Sequence, residues 1–262
     1  MTDLFDMKLR ALRRDRAAIL GPECFLAERV FEDCLDRISL MNRKFERALL
    51  VGCPDPEWPV RLQAFARLVE VKDPGPSFAI RASGEPIVED EWEPPLEAYD
   101  LVVATGTLDT VNNLPLALRL ILRSMCSDGL IIGALSGGDT LPRLRSAVRA
   151  ADKVRGVAAA RIHPRIEASA LSPLLVDAGF TQAVVDVERV QVSYSSLERL
   201  VSDLRAMAAT NFLRSRSPPL TREQKRAAAR SFEDAGEDGR TTETFEILHF
   251  AAWTPPKRMM PH

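Results

Sequence analysis

The chain is expected to fold as a doubly wound α/β protein, and three features of its sequence predict this. Short apolar runs alternate with amphipathic segments through Val192, the pattern of strands joined by covering helices. The run Asp100-Leu101-Val102-Val103-Ala104-Thr105 has no polar alternation, as expected of a central strand buried on both faces. The run from Phe45 to Val51 ends in Gly52-Cys53 and a turn carrying Pro54 and Pro56, which marks a parallel strand followed by a tight strand-to-helix turn.

With 262 residues, 46% of them apolar, the chain can bury the core of one large domain. A net charge of −2, from 35 basic and 37 acidic residues, gives no broad basic field, so no nucleic-acid partner is expected. Cys24, Cys34, Cys53 and Cys126 are scattered without a C-x-x-C pair, and the chain has 3 histidines, so neither a zinc site nor a disulfide framework is expected. A reducing, cytoplasmic compartment follows from the same cysteine pattern. No apolar run approaches the ~20 residues that span a bilayer. The Arg-rich N-terminus is interrupted by Asp3, Asp6 and Asp15, unlike acid-poor transit peptides, and reads as a surface helix.

Leu4 to Leu20 and Phe25 to Leu40 carry apolar residues at helical spacing, so two helices precede the first strand. Within the first, Arg13-Arg14-Asp15-Arg16 is expected to form a solvated face. The first strand runs from about Ala48 to Gly52, a short helix covers Val60 to Ala66, and a second strand covers Arg67 to Val71. Lys72-Asp73-Pro74-Gly75 is a turn, Ile87-Val88 a weak third strand, and Glu89 to Pro95 a loop rich in acids. After the strand at Asp100 to Thr105, Asn112 or Asn113 caps a helix from Leu114 to about Cys126, stopped by Ser127-Asp128-Gly129. Leu130 to Leu135 is the next strand. Gly137-Gly138 is a turn, with Asp139 or Thr140 capping the helix that contains Leu141, Leu144 and Val148. Residues 156–166 read as irregular around His163. Ser169 to Ala178 is a helix closed by Gly179, Ala183 to Val192 a strand, and Leu197 to Leu213 a helix. Thr221 caps a charged helix to Phe232, and Thr244 to Trp253 is the last strand. The organisation expected is a single domain: helices at 1–44, sheet core at 45–192, a helical cap inserted at 193–242, a last strand at 243–254 and a tail at 255–262.

In an open α/β sheet, ligands sit beyond the carboxyl ends of the strands. A dinucleotide or S-adenosylmethionine site there needs glycines after the first strand, so that backbone N–H groups can approach the ligand. Gly52 meets that need, whereas Pro54 and Pro56 lack the N–H and fix φ. An acid at the end of the second strand would accept the ribose hydroxyls, with Glu70 and Asp73 as the candidates. Asp90 is placed to meet an adenine amino group, or to lie in a solvent-facing acidic loop. Asp109 follows the fourth strand at the sheet's ligand edge, where a turn-forming role is the alternative. Cys53 sits in the key turn as a thiol or as a small buried filler. His163 has no acid or cysteine near it in sequence, and His249 shares strand parity with Phe245 and Ile247, as a hydrogen-bonded sheet histidine would.

Fragments in order along nearly the whole chain carry a resemblance: Leu4-Phe5-Asp6, Arg13 to Ala18, Asp100 to Val103, Val111-Asn112-Asn113-Leu114-Pro115, Gly137-Gly138-Asp139-Thr140-Leu141, Ala178-Gly179-Phe180, Val185-Asp186, Asp203 to Met207, Thr210-Asn211 and Thr244 to Ile247. The chain resembles class I S-adenosylmethionine-dependent methyltransferases, and within them the family of mitochondrial complex I assembly factor five with its alphaproteobacterial relatives. The malonyl-carrier methyltransferases of the biotin pathway are similar at a greater distance. The resemblance implies a Rossmann-like, mostly parallel seven-stranded sheet and S-adenosylmethionine as cofactor. It further implies Gly52, Cys53, Asp73, Asp90 and Thr105 as cofactor contacts, Asp109 at the reactive end, and a protein substrate or assembly partner. The assembly-factor branch is associated with hydroxylation of an arginine. Departures gather at the site: where the family tends to have Asp-Leu-Gly-Cys-Gly-x-Gly, this chain has Leu50 to Pro56. A His-Trp pair is replaced by Asp109-Thr110, and two glycines near the cap are Ala206 and Ala208. Two functions follow from the resemblance, a methyltransferase with a degenerate cofactor motif or a non-catalytic paralogue that binds a protein partner.

Overall fold

The computed structural model describes residues 3–156, 158–215 and 217–256. Two helices, α1 (Met7–Leu20) and α2 (Phe25–Leu40), lead into β1 (Phe45–Val51), α3 (Trp58–Leu62), β2 (Ala66–Asp73), α4 (Pro76–Arg81), β3 (Glu85–Pro86) and β4 (Tyr99–Thr105). There follow α5 (Leu114–Ser124), β5 (Met125–Ser136), α6 (Pro142–Lys153), α7 (Ala168–Ala178), β6 (Thr181–Tyr194), α8 (Leu197–Ala206), α9 (Arg222–Glu233) and β7 (Thr241–Trp253). The strands form one seven-stranded sheet in the order β3-β2-β1-β4-β5-β7-β6. From β3 to β5 all pairs are parallel, while β7 runs antiparallel to both β5 and β6. The strand order reverses at β1 and β4, which fixes where a ligand crevice opens.

Strand parity divides the core. Leu49, Val51, Val102, Ala104 and Ile131 face α5 and α7, while Ala48, Leu50, Leu101, Val103 and Ile132 face α2 and α3. Inside the second layer Trp58 is fully buried and stacks on Phe31 of α2, with ring centroids 4.4 Å apart. A third cluster joins α6, α8 and α9 through Leu144, Leu200, Leu204, Ala228 and Phe232 to Phe245 of β7. Helices α8 and α9 fall in the stretch expected as a cap at 193–242, whereas α6 comes from the stretch expected as sheet core. Gly133 lets β5 approach β4, since a Cβ there would lie 2.1 Å from the Ala104 carbonyl oxygen.

Several boundaries differ from the sequence expectation, each for a local reason. The helix expected over Val60 to Ala66 is α3, displaced toward Trp58, because Phe65 and Ala66 already join the sheet edge. The third strand is Glu85–Pro86 rather than Ile87-Val88. Gly84 sets this register by passing so close to Val71 that a Cβ would lie 2.3 Å from its carbonyl oxygen, and the proline sits on an edge strand where a missing N–H is tolerated. Helix α4 is hidden in sequence by the Pro-Gly-Pro turn signal, although Pro76 at its start suits a helix N-terminus. Helix α5 stops at Ser124, short of Cys126, because β5 begins at Met125.

Neither Asp139 nor Thr140 caps α6; Leu141 does so in left-handed conformation, and the buried Glu243 carboxylate of β7 accepts from the N–H groups of Arg143 and Leu144. Helix α8 ends at Ala206 rather than Leu213. Ala208 turns the chain at φ +59°, and the Ala209 N–H closes on the Leu204 carbonyl, a glycine-type helix stop built with alanine. The expected tail at 255–262 lies, from residue 257 on, outside the described residues. Among the described residues no helix is long and apolar enough to cross a membrane.

The Gly137-to-Leu141 fragment is a fastening between β5 and β7. A Cβ on Gly137 would meet the Glu246 carboxylate at 2.4 Å, and one on Gly138 would meet Glu167 at 2.3 Å. The Thr140 hydroxyl donates to the Glu246 carbonyl and accepts from its N–H, both at 3.0 Å.

Candidate functional site

A cavity of about 190 Å³ lies at the carboxyl edge of β1, β4 and β5. Its apolar wall includes Leu26, Val30, Leu204, Met207, Phe245 and Ile247, and its polar wall Arg10, Arg14, Thr105, Thr107, Asp109, His163 and Arg165. The turn after β1 forms the floor through Pro54. Gly52 has φ +85°, and a Cβ on it would lie 2.7 Å from the Thr107 methyl group, so the close approach permitted here is taken by threonines. The Thr105 hydroxyl donates to the carbonyls of Val51 and Gly52, pinning the turn to β4. Cys53 is buried, and its thiol donates to the Asp55 carbonyl at 3.1 Å. Burial, then Asp73 and Asp55, push that thiol far above the usual range, so it is a buried filler rather than a nucleophile.

Asp73 stands at the end of β2, fully buried. Its Oδ1 accepts from Arg14 Nε and the Gly75 N–H, both at 2.7 Å. Its Oδ2 accepts from Arg14 Nη2 at 2.6 Å and the Cys53 N–H at 2.7 Å. A carboxylate offers about four acceptor directions, and all four are filled by the chain. The position suits a ribose contact; its acceptor capacity is available only if Arg14 lets go. Glu70, the other candidate, instead pairs with Arg47 and the Tyr99 hydroxyl.

The acidic loop after β3 is not solvent-facing at its start. Glu89 and Asp90 are 1% and 8% exposed. Glu89 takes both Nη groups of Arg10, at 2.7 and 2.8 Å, and Arg10 Nη2 also donates to the Thr107 carbonyl at 2.6 Å. Asp90 Oδ2 accepts from the Asn113 N–H at 2.8 Å, anchoring the start of α5, while its Oδ1 makes no hydrogen bond among the described residues.

Asp109 lies in a short 3₁₀ turn after β4 and pairs with Arg165, the two side chains 5% and 8% exposed. A bridge between Gly137 and Ile166 sets Arg165 in place. Burial lowers the Arg165 guanidinium to about 10, well above neutrality, so Arg165 keeps its charge. Asp109 Oδ1 and the Thr107 hydroxyl are buried without hydrogen-bond partners among the described residues. His163 is buried between Phe5 and Phe212, and its Nε2 accepts from the Phe212 N–H at 3.1 Å. Burial, then Arg10, lower its pKa to about 4, so it is neutral and stays a structural acceptor. His249 lies in β7 between Asp33 and Glu188, 2.9 and 3.0 Å from its two ring nitrogens, away from the cavity wall.

Of the residues the sequence pointed to, Thr105 and Asp109 line the cavity, whereas Gly52, Cys53, Asp73 and Asp90 do not. The sequence reading missed Arg10, Arg14, Glu89 and Arg165. The expected solvated face at Arg13 to Arg16 is wrong for Arg14. Its signal was available: positions 10, 14, 17 and 18 share one helical face, and Ala17 and Ala18 are plainly core residues.

The strand order, the crevice at β1 and β4 and the position of Asp73 define a Rossmann-like methyltransferase fold. Two solved structures share it: the YcgJ protein of Bacillus subtilis (TM-score 0.54, 9% identity, covering 84% of this chain and 96% of that one) and a candidate methyltransferase from Bacillus halodurans (TM-score 0.55, 12% identity, 84% and 98%). The mitochondrial arginine-hydroxylase NDUFAF5 of Danio rerio is 31% identical over 267 residues, covering 97% of this chain and 83% of that protein. The human protein of the same name is 31% identical, covering 96% and 77%. The chain belongs to the NDUFAF5 family. A malonyl-[acyl-carrier protein] O-methyltransferase of Laribacter hongkongensis is 30% identical over 162 residues, 62% of this chain and 53% of that one. No protein-family model matches the chain.

Proposed function

We propose that the chain is an S-adenosylmethionine-dependent enzyme of the NDUFAF5 family that modifies a cationic protein side chain, as the arginine-hydroxylase name of its relatives suggests. The observation that carries this reading is Asp109. One of its oxygens is held by Arg165, and the other is buried at the cavity wall with no hydrogen-bond partner among the described residues, beside the similarly unpartnered Thr107 hydroxyl. A guanidinium or amine entering the cavity would satisfy it. The protein's part in such a reaction is alignment and exclusion of water, which the apolar wall and neutral His163 serve. The test is to incubate the protein with S-adenosylmethionine and arginine-containing peptides and read the peptide mass. A gain of a methylene with S-adenosylmethionine, or of an oxygen when dioxygen and a reductant are supplied as well, each lost in Asp109→Asn, supports the reading; an unchanged peptide under both conditions refutes it.

A second reading, a non-catalytic paralogue that binds an assembly partner, is favoured by Pro54, which replaces an N–H donor at the cavity floor, and by the filled acceptors of Asp73. Calorimetric titration with S-adenosylmethionine and S-adenosylhomocysteine separates the two. Micromolar binding removes the cofactor-free reading, and silence at millimolar ligand removes the enzymatic one.

A further inference from the structure

We infer that Arg14 is an internal competitor for the cofactor's ribose site, and that ligand entry requires α1 to release it. The inference rests on the reading of the chain as an S-adenosylmethionine binder. Of the four bonds that fill Asp73, two come from the N–H groups of Cys53 and Gly75, which belong to the strand-end turns and cannot withdraw without unmaking the sheet edge. The other two come from one side chain, Arg14. A ribose diol presents two hydroxyl donors, so the bonds it needs are the two that Arg14 makes.

Arg14 is held there by the whole of α1. The Gly75 turn accommodates its stem so closely that a Cβ on Gly75 would lie 2.5 Å from the Arg14 Cβ. The guanidinium also lies over Phe78, 5.0 Å from the ring centroid. Asp15 accepts from the Ser77 N–H at 2.7 Å, and Arg81 donates to the Ala18 carbonyl at 2.7 Å, so α1 and α4 are tied twice on the C-terminal side of the pair. One turn earlier, Arg10 makes the matching pair with Glu89. Release of Arg14 therefore loosens the seat of α1 against α4 and against Ala208 beyond α8, which shares the small cluster of Ala17, Ala18 and Phe78.

The experiment is calorimetric titration of the full chain with S-adenosylhomocysteine, comparing wild type, Arg14→Gln and Arg14→Lys, together with hydrogen exchange of the wild type with and without ligand. Arg14→Gln is expected to bind at least about tenfold more tightly than wild type, a change of ~1.4 kcal/mol. Arg14→Lys, which cannot make the two parallel bonds, should fall between them. The α1 amides should exchange faster when ligand is added. If Arg14→Gln does not fold, Arg14→Lys and the exchange data decide. Wild-type binding that neither variant tightens, with α1 protected by ligand, overturns the inference and leaves the methyltransferase reading standing. Silence from all three proteins overturns both.

Discussion

Replacing Arg10 by Met should cost far more stability than its bonds contribute, and the cost should vanish when Glu89 is replaced as well. The Arg10 and Glu89 side chains are 3% and 1% exposed, and Arg10 makes three bonds of 2.6 to 2.8 Å to the Glu89 carboxylate and the Thr107 carbonyl. In Arg10→Met the carboxylate remains buried and unpaired, a loss of about 3–5 kcal/mol. For a chain of this size that lowers Tm by roughly 6–20 °C, taking about 2–4 °C per kcal/mol. The double variant Arg10→Met/Glu89→Leu removes both charges and fills a similar volume, so it should lie within about 1 kcal/mol of wild type or above it. The assay is urea unfolding of the four proteins of the cycle, followed by circular dichroism and tryptophan fluorescence. A single substitution that costs under about 1 kcal/mol, or a double one that costs the sum of the singles, would refute the claim that the pair is desolvated and mutually dependent.

Three further outcomes are expected. His163 has a folded pKa of about 4 against an ordinary 6.5, so the unfolded chain binds more protons between those values; its contribution is complete above pH 6.5 and is lost as pH falls toward 4, by about 3 kcal/mol in all. Urea unfolding from pH 7 to 4 should show a steeper decline for wild type than for His163→Gln, and equal slopes would contradict the burial argument. Gly133→Ala drives a Cβ to 2.1 Å from the Ala104 carbonyl oxygen, and should destabilise by about 3 kcal/mol or more or abolish soluble expression; a Tm within 2 °C of wild type, on the order of one kcal/mol or less, would sink that reading. Ala208→Gly relieves a left-handed alanine at φ +59° and should raise stability by about 0.5–1 kcal/mol, measured as the urea midpoint; a lower midpoint would show that the lost methyl contact with Ala17 and Phe78 outweighs the strain.

The sheet was legible because burial dictates composition. Leu101 to Ala104 and Leu130 to Leu135 are apolar on both faces because helices cover both faces, and their short length with turn residues after them marks them as strands. The capping box at Thr221 and the glycine stop at Gly179 were equally readable, since each is a local bond between near neighbours in sequence. What escaped were interactions across the chain. Glu243 caps α6 from about a hundred residues away, where nothing near Leu141 announces it. Asp73, Asp90 and Asp109 were recognisable as acids at the ligand edge, but Arg14 and Arg165 reach two of them from segments 59 and 56 residues away. Turn signals misled in the other direction, since Pro74-Gly75-Pro76 breaks a strand and begins a helix at once.

Three acid–arginine pairs at the carboxyl edge make one electrostatic arrangement. Asp73 after β2 meets Arg14, Glu89 after β3 meets Arg10, and Asp109 after β4 meets Arg165. Buried pairs of this kind add little net stability, because desolvation offsets most of their attraction, yet losing one partner is costly. Their effect is therefore positional: α1 and the segment around Arg165 are held over the edge of the sheet by the penalty for leaving. A ligand donor that meets one of these acids changes that balance, since it replaces the arginine's bonds or completes them. Asp109 retains an oxygen without a hydrogen-bond partner among the described residues, so a donor can be added there without displacing Arg165. Asp73 retains none, so a donor there must displace Arg14. Entry at the Asp109 end is then a local event, whereas entry at the Asp73 end moves a helix.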